Sequence, residues 1–252
     1  MNLYLVPNTQ MLPKDGSVSP EAIFSGANIL QSFKYCNAFT EEIIIPNCKK
    51  FLLDSGAYTF FSGGHTDWDK YIKQYADFIN RNKVKHYFEL DIDSIVGYER
   101  VREFRGMVEH LTGRACIPVW HYERGREEWL RLCEQYDYVA VGGLVKEGST
   151  SEYAVKYRKY FPWFIKTAHE RGAKIHALGF TAFRDLDKYH FDSVDSSTWS
   201  MGNRYGHYFT FDGKMMKCNK KPDGTRVSNH QAIALHNFLE WKKFADYAEV
   251  KL

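Results

Sequence analysis

No stretch of this 252-residue chain approaches the ~18 consecutive apolar residues of a membrane span, so no membrane partner is expected. The opening Met1-Asn2-Leu3-Tyr4-Leu5-Val6-Pro7 carries no basic leader and only a short apolar run, which excludes the pattern of a signal peptide. Cysteine is scarce in the sense that matters. Cys36, Cys48, Cys116, Cys133 and Cys218 form no Cys-X-Cys or Cys-X2-Cys pair, and their odd number and irregular spacing speak against a disulfide framework. A cytoplasmic protein is therefore expected. Charge of one sign is lacking too: a net +3 excludes a uniformly basic nucleic-acid-binding surface and leaves only local patches for such contacts. Internal repeats, low-complexity tracts and linker-like segments are also missing, so one domain spanning 1–252 is expected.

What is present is an aromatic-rich chain, with 17 Tyr, 18 Phe and 6 Trp, whose length matches one (β/α)8 barrel of about 250 residues. Short apolar runs predict strands at 2–6, 50–53, 86–90, 116–120, 138–141, 174–178 and 190–194, with a weaker one near 28–33. Helical spacing recurs between them, as in Trp68, Tyr71, Ile72, Tyr75 and Ile79, or Val101, Phe104, Val108 and Leu111. Pro162 is expected to break or kink the stretch 152–171, and Gly172 to close it. The predicted fold is α/β, a TIM-type barrel with a β-hairpin inserted after the last strand and a C-terminal helix over 229–248.

The ends of the strand runs carry the chemistry. Leu53 leads into Asp54, Leu90 into Asp91, Trp120 into His121, Val141 into Gly142-Gly143, Leu178 into Gly179, and Val194 into Asp195. A parallel barrel gathers these ends around one mouth. A single Asp after a strand is most often a cap or turn former, and a Gly-Gly pair a tight turn, whereas three carboxylates gathered with ordered glycines point to a site. His121 stands evenly between a site group and a hydrogen-bonded histidine of the barrel mouth. Asp93 reads as a cap or a supporting residue, and His230 and His236 as members of the final helix rather than metal ligands.

These motifs, in this order, resemble the tRNA-guanine transglycosylases, enzymes that exchange guanine in a polynucleotide for a 7-deazaguanine. Asp54-Ser55-Gly56-Ala57-Tyr58 is similar to the family's Asp-Ser-Gly-Gly-Phe, which implies an acid/base role for Asp54 and a base-stacking role for Tyr58. Leu90-Asp91-Ile92 resembles the segment whose Asp pairs with the guanine edge. Gly142-Gly143-Leu144 matches the family's Gly-Gly-Leu, and Leu178-Gly179-Phe180-Thr181 its Met-Gly-Val-Gly turn. The run Asp192-Ser193-Val194-Asp195-Ser196 fits the family's Asp-X-Phe-Asp-Cys/Ser, which makes Asp195 the preferred nucleophile; a shorter register would choose Asp192. Residues 203–214 look like the hairpin that follows, with Asp212-Gly213 as its turn signal.

Departures from the family are equally specific. The Cys-X-Cys-X2-Cys zinc group is reduced to Cys218 and a His236-Asn237-Phe238 segment, so no metal and no cofactor are expected. His121 replaces a base-contacting Gln. The chain ends at Leu252 without the RNA-binding module that archaeal members append. The compact pattern is similar to phage and bacterial DNA-guanine transglycosylases, which implies DNA and a free 7-deazaguanine base as partners, in the host cytoplasm if the protein is phage-encoded. The alternatives are a tRNA-directed enzyme, a catalytically silent nucleic-acid-binding subunit partnering one, or an unrelated barrel glycosidase that would leave Gly142-Gly143-Leu144 unexplained. A helper protein and a homodimer both stay open. The region 204–226 holds six basic residues (Arg204, Lys214, Lys217, Lys220, Lys221 and Arg226) against Asp212 and Asp223, and it is the candidate for holding a phosphate backbone.

Overall fold

The computed structural model describes residues 1–56, 59–60, 66–143, 158–180, 186–201, 206–220 and 229–252, with the side chains of Met201 and Lys220 outside the description. Tyr58, Leu144, Arg204 and Lys221 therefore lie outside the described residues, as do Thr181 and Arg226. Among the described residues no helix is long and apolar enough to cross a membrane.

Eight strands, β1 (Asn2–Leu5), β2 (Asn28–Ser32), β3 (Lys50–Asp54), β4 (His86–Tyr87), β5 (Val119–Trp120), β6 (Tyr138–Val141), β7 (Lys174–Ala177) and β8 (Ser193–Ser196), form one parallel sheet. Their order is β4-β3-β2-β1-β8-β7-β6-β5. A parallel bridge between Phe88 and Ile117 joins the two outer strands and curls the sheet into a barrel. The runs predicted at 86–90 and 116–120 thus contribute only short ladders. At this seam the chain turns away to make side-chain contacts instead.

Alternation along the strands sorts the core into an inside and an outside. Tyr4, Leu30, Leu52, Phe88, Ile117, Val119 and Ala140 pack together in one cluster. Their neighbours Leu3, Leu5, Ile29, Val139, Val141, Ile175, Ala177 and Val194 face a second cluster with the helices, and Leu53 and Tyr87 a third. The helical layer comprises α1 (Pro20–Phe24), α2 (Ile45–Asn47), α3 (Trp68–Arg81), α4 (Asp93–Val96), α5 (Tyr98–Thr112), α6 (Gly125–Gln135), α7 (Phe161–His169) and α8 (His230–Lys251). In α3, Asp67 caps the first turn by accepting from the Lys70 N–H, and Ile72, Tyr75 and Ile79 are buried as their spacing requires. In α5, Val101, Phe104 and Val108 are buried but Leu111, at the end of the same stripe, is exposed.

One expectation holds and two are corrected. Pro162 breaks the stretch, as expected: Lys159 and Tyr160 form a turn and α7 begins at Phe161. It stands in the first turn of α7, where its missing N–H costs nothing, and Gly172 with φ +77° follows the helix end. The last barrel strand runs over Ser193–Ser196 rather than 190–194, because Phe191 is drawn into an aromatic group with Phe161, Phe180 and Tyr189 before pairing begins. The C-terminal helix extends to Lys251. Its Asn237 side chain holds the outer hairpin β9 (His207–Phe211) and β10 (Met216–Lys220), accepting from the Phe209 N–H and donating to the His207 and Trp199 carbonyls.

Candidate functional site

Asp54 closes β3, Asp91 follows β4, His121 follows β5, Gly142 and Gly143 follow β6, Gly179 follows β7, and Asp195 lies in β8, so the C-terminal strand ends deliver all of them to one end of the barrel. The Gly56 N–H donates to Asp54 Oδ2 at 3.0 Å. The turn that allows this needs glycine: Gly56 has φ +82°, and a Cβ there would lie 3.0 Å from both Ser32 Oγ and the Tyr71 hydroxyl. The Tyr71 hydroxyl in turn donates to the Ser55 carbonyl, which ties the turn to α3. Burial, followed by the negative charges of Asp91 and then Asp195, pushes the Asp54 carboxyl up to about 7, against the opposing Gly56 hydrogen bond. Three carboxylates thus share one electrostatic environment.

Asp195 is oriented on one oxygen. Its Oδ1 accepts from the Gly179 N–H at 2.7 Å and meets His176 Nε2 at 3.1 Å. His176, fully buried inside the barrel between Tyr4 and Phe88, carries a second contact from Nδ1 to Ser193 Oγ at 2.5 Å. Ser193 also meets the Tyr138 hydroxyl. Sequence reasoning missed His176, whose signal was an ionisable ring between the apolar Ile175 and Ala177 at an inward strand position. Asp192, the competing register, is spent elsewhere. It precedes β8, accepts from the Ile175 N–H at 2.8 Å and pairs with His169 on α7 at 2.9 Å. The Asp195 register is the one that faces the site.

On the opposite side, His121 Nε2 lies 3.1 Å from Asp91 Oδ2. Burial alone would lower the His121 pKa, but the hydrogen bond and charge of Asp91 outweigh it, and the net direction is upward. The ring fits because residue 142 is glycine: a Cβ there would meet Val119 Cγ1 at 2.6 Å and His121 Cε1 at 2.7 Å. Gly143 follows with φ +71°. The glycine pair thus serves the close seat of His121 as well as the turn. Asp91→Asn is expected to move the His121 pKa down from its raised position, because the favourable term goes and burial remains; NMR titration of the ring protons reads it. An unchanged value would contradict the pairing.

Beneath the mouth sits a buried ionic cluster that the sequence hid inside a strand run. Glu89 accepts from the Val119 N–H at 2.7 Å and from Arg124 at 2.6 Å, and it faces Arg105 at 2.9 Å. Arg124 also donates to both oxygens of Asp93, each at 2.7 Å, with its guanidinium 4.2 Å from the Tyr98 ring centre. These contacts brace the β4/β5 seam where ladder pairing is sparse, and Asp91 and His121 both spring from it. Asp93 is therefore a supporting residue. Removing one partner of a buried ion group leaves charge uncompensated, so Glu89→Gln is expected to destabilise the protein by about 3 kcal/mol in urea unfolding. A change below about 1 kcal/mol would remove the bracing role.

The hairpin is present, but its turn centres on Gly213-Lys214 rather than Asp212-Gly213. The Asp212 N–H bonds to the Met215 carbonyl, Gly213 has φ +93°, and Asp212 Oδ1 accepts from the Lys214 and Met215 amides. Lys217 is paired with Asp212 at 2.9 Å, so its charge is partly met within the hairpin. His236 lies on α8 with its Nε2 donating to the Phe209 carbonyl, and Cys218 on β10 is exposed. Among the described residues no three His, Cys, Asp or Glu side chains gather as a metal site.

No protein-family model matches the chain. No curated protein matches it either. Solved structures similar to it include QR15, an aldolase (12% identity, 78% of this chain and 89% of that one, TM-score 0.47). Another is a thiamine phosphate pyrophosphorylase from Pyrococcus furiosus (11% identity, 98% and 96%, TM-score 0.46). A third is the carboxyl transferase domain of Rhizobium etli pyruvate carboxylase (10% identity, 98% and 48%, TM-score 0.44). Likeness at this level says nothing of activity, and the barrel assignment stands on the chain's own strand order, that of an α/β TIM-type barrel with an added hairpin and C-terminal helix.

Proposed function

We propose that the protein is a guanine transglycosylase that exchanges guanine in DNA for a 7-deazaguanine through a covalent aspartyl-glycosyl intermediate. One observation carries the reading: a carboxyl that holds a proton near neutrality, Asp54, shares a mouth with a carboxylate fixed through a single oxygen, Asp195. Asp195 Oδ2 attacks C1′ of the target nucleotide, the C1′–N9 bond breaks with its electron pair passing to the base, and Asp54 supplies the proton that the leaving guanine takes up. The incoming base then loses its N9 proton to Asp54 and attacks C1′, and the electron pair of the C1′–O bond returns to Asp195. Bonds and protons balance without a redox cofactor.

Asp91 supplies an acceptor for the N–H groups of the guanine edge, and His121 beside it carries the opposite polarity. Gly142, Gly143, Leu178 and Gly179 form the backbone walls on the β6 and β7 sides, and Leu144 and Tyr58 are assigned to the base by the family resemblance alone. Extrusion of a guanine from the stack costs a few kcal/mol, which aromatic contacts offset. DNA is favoured over tRNA because Cys218 and His236, which stand where zinc-bearing relatives have ligands, are here an exposed hairpin residue and a ring tied to the Phe209 carbonyl. Deoxyribose also lacks the 2′-OH that disfavours an oxocarbenium-like transition state. Lys214, Lys217 and Lys220 of the hairpin, with Lys221 and Arg204 from the basic sequence region 204–226, are assigned to the phosphate backbone.

The test is incorporation of labelled 7-deazaguanine by purified protein into DNA and into tRNA under matched conditions. Label in DNA alone is expected. Neutralising these four lysines together should weaken DNA binding by at least tenfold at low salt and flatten its salt dependence, without altering base choice. Label in tRNA and never in DNA would replace this reading with the tRNA-directed one.

A further inference from the structure

The structure assigns to His176 a positioning role: its imidazole, locked by Ser193 and Tyr138 with the proton on Nε2, fixes Asp195 so that Oδ2 is the oxygen presented to substrate. The assignment of substrate rests on the transglycosylase reading; the lock itself rests on geometry alone.

The three contacts run in one direction through the barrel. With the imidazole neutral, Tyr138 O–H donates to Ser193 Oγ, Ser193 O–H donates to His176 Nδ1, and His176 Nε2–H donates to Asp195 Oδ1. Each contact then has one donor and one acceptor. Ser193 opens β8 and pairs with His176 across the ladder, while Asp195 stands two residues on, on the same face of the strand. Tyr138 opens β6, so the series starts at the foot of the barrel and ends at the mouth.

A hydrogen-bonded Ser–His–Asp series invites comparison with nucleophilic serine chemistry, and burial decides against it. Ser193 and His176 are both wholly inaccessible, the ring packed between Tyr4 and Phe88, whereas Asp195 is the member that retains exposure. The order of roles is therefore inverted. The serine orients the ring, and the ring orients the carboxylate. A Gly179 N–H on the same oxygen completes the restraint. Two donors on Oδ1 hold the carboxylate plane and leave Oδ2 without a described partner, which is what an in-line attack on an anomeric carbon needs. The ring never touches the reacting atoms.

His176→Phe and His176→Gln separate positioning from packing. Phenylalanine fills the space beside Tyr4 and Phe88 without donating, whereas the glutamine Nε2 can still donate towards Asp195 and its Oε1 can accept from Ser193. In DNA base exchange, His176→Phe is expected to lower kcat by roughly 10–100-fold with KM for the free base nearly unchanged, and His176→Gln to recover at least tenfold of that loss. Melting temperatures check that both variants are folded. Independently of any substrate, 15N NMR of the wild-type protein should find the His176 proton on Nε2 with Nδ1 unprotonated, and Ser193→Ala should allow the other tautomer to appear. A wild-type Nδ1 that carries a proton overturns the lock. So does a His176→Phe variant exchanging bases at the wild-type rate. If the wild-type protein exchanges no base in any polynucleotide, the transglycosylase reading fails, and the NMR result still decides for or against the lock.

Discussion

Asp195→Asn is expected to lower base exchange by more than about 10³-fold and to eliminate any covalent adduct with the polynucleotide, while Asp192→Asn retains most of the activity. The two residues are three apart, and a sequence motif alone lets either be the nucleophile. Their surroundings separate them. Asp195 Oδ1 is held by the Gly179 amide and His176 at the mouth, whereas Asp192 precedes the strand, accepting from the Ile175 amide and pairing with His169. An amide at 195 keeps the size and one acceptor oxygen but cannot attack C1′. Asp192→Asn keeps an acceptor for the Ile175 N–H and should cost stability more than rate. Single-turnover assays with folded variants make the comparison, and full exchange by Asp195→Asn with loss in Asp192→Asn would transfer the role.

Asp54→Asn should also lower the rate by about 10²–10⁴-fold, the range spanned by a positioned acid or base, and it should do so without lowering stability. In the proposed mechanism the first half-reaction requires the protonated carboxyl. With the Asp54 pKa raised to about 7, adduct formation is expected to fall roughly tenfold per pH unit above that value. The stability consequence has a definite sign. Between an unfolded value near 3.9 and about 7 the folded state binds a proton that the unfolded chain does not, so this stability is fully present below about pH 3, declines as pH rises towards 7 and levels off above it. Asparagine removes that titration. Asp54→Asn should therefore match the wild type at about pH 3 and exceed it by about 2 kcal/mol at pH 8, a figure that allows for partial solvent screening. Parallel denaturation curves at the two pH values test this, and a variant less stable than wild type at pH 8 would contradict it.

The barrel was legible because its strands are short apolar runs whose ends carry Asp54, Asp91, His121, Gly142 and Asp195, and parallel topology then forces those ends together. Strand limits were less legible where side chains compete with pairing. Phe191 belongs to an aromatic cluster with Phe161 and Phe180, so an apolar residue that reads as strand lies before the ladder. Glu89 lies in a run that alternates like a strand, yet its charge is met by Arg105 from α5 and Arg124 after β5, partners far apart in sequence. His176 was hidden for the same reason. Its two partners, Ser193 and Asp195, come from the next strand, and nothing local in Lys174-Ile175-His176-Ala177 announces them. The Gly-Gly pair was seen, but the steric reason that residue 142 must be glycine, the approach of His121, required coordinates.

The proposed reaction requires a covalent bond to one named residue. Protein quenched with denaturant during turnover on guanine-containing DNA, digested and analysed by mass spectrometry, is expected to carry a deoxyribosyl adduct on the peptide containing Asp195, with fragmentation placing it on that carboxylate. An adduct mapped to Asp192, to Asp54 or to Ser193, or base exchange that proceeds with no adduct on any carboxylate, would contradict it.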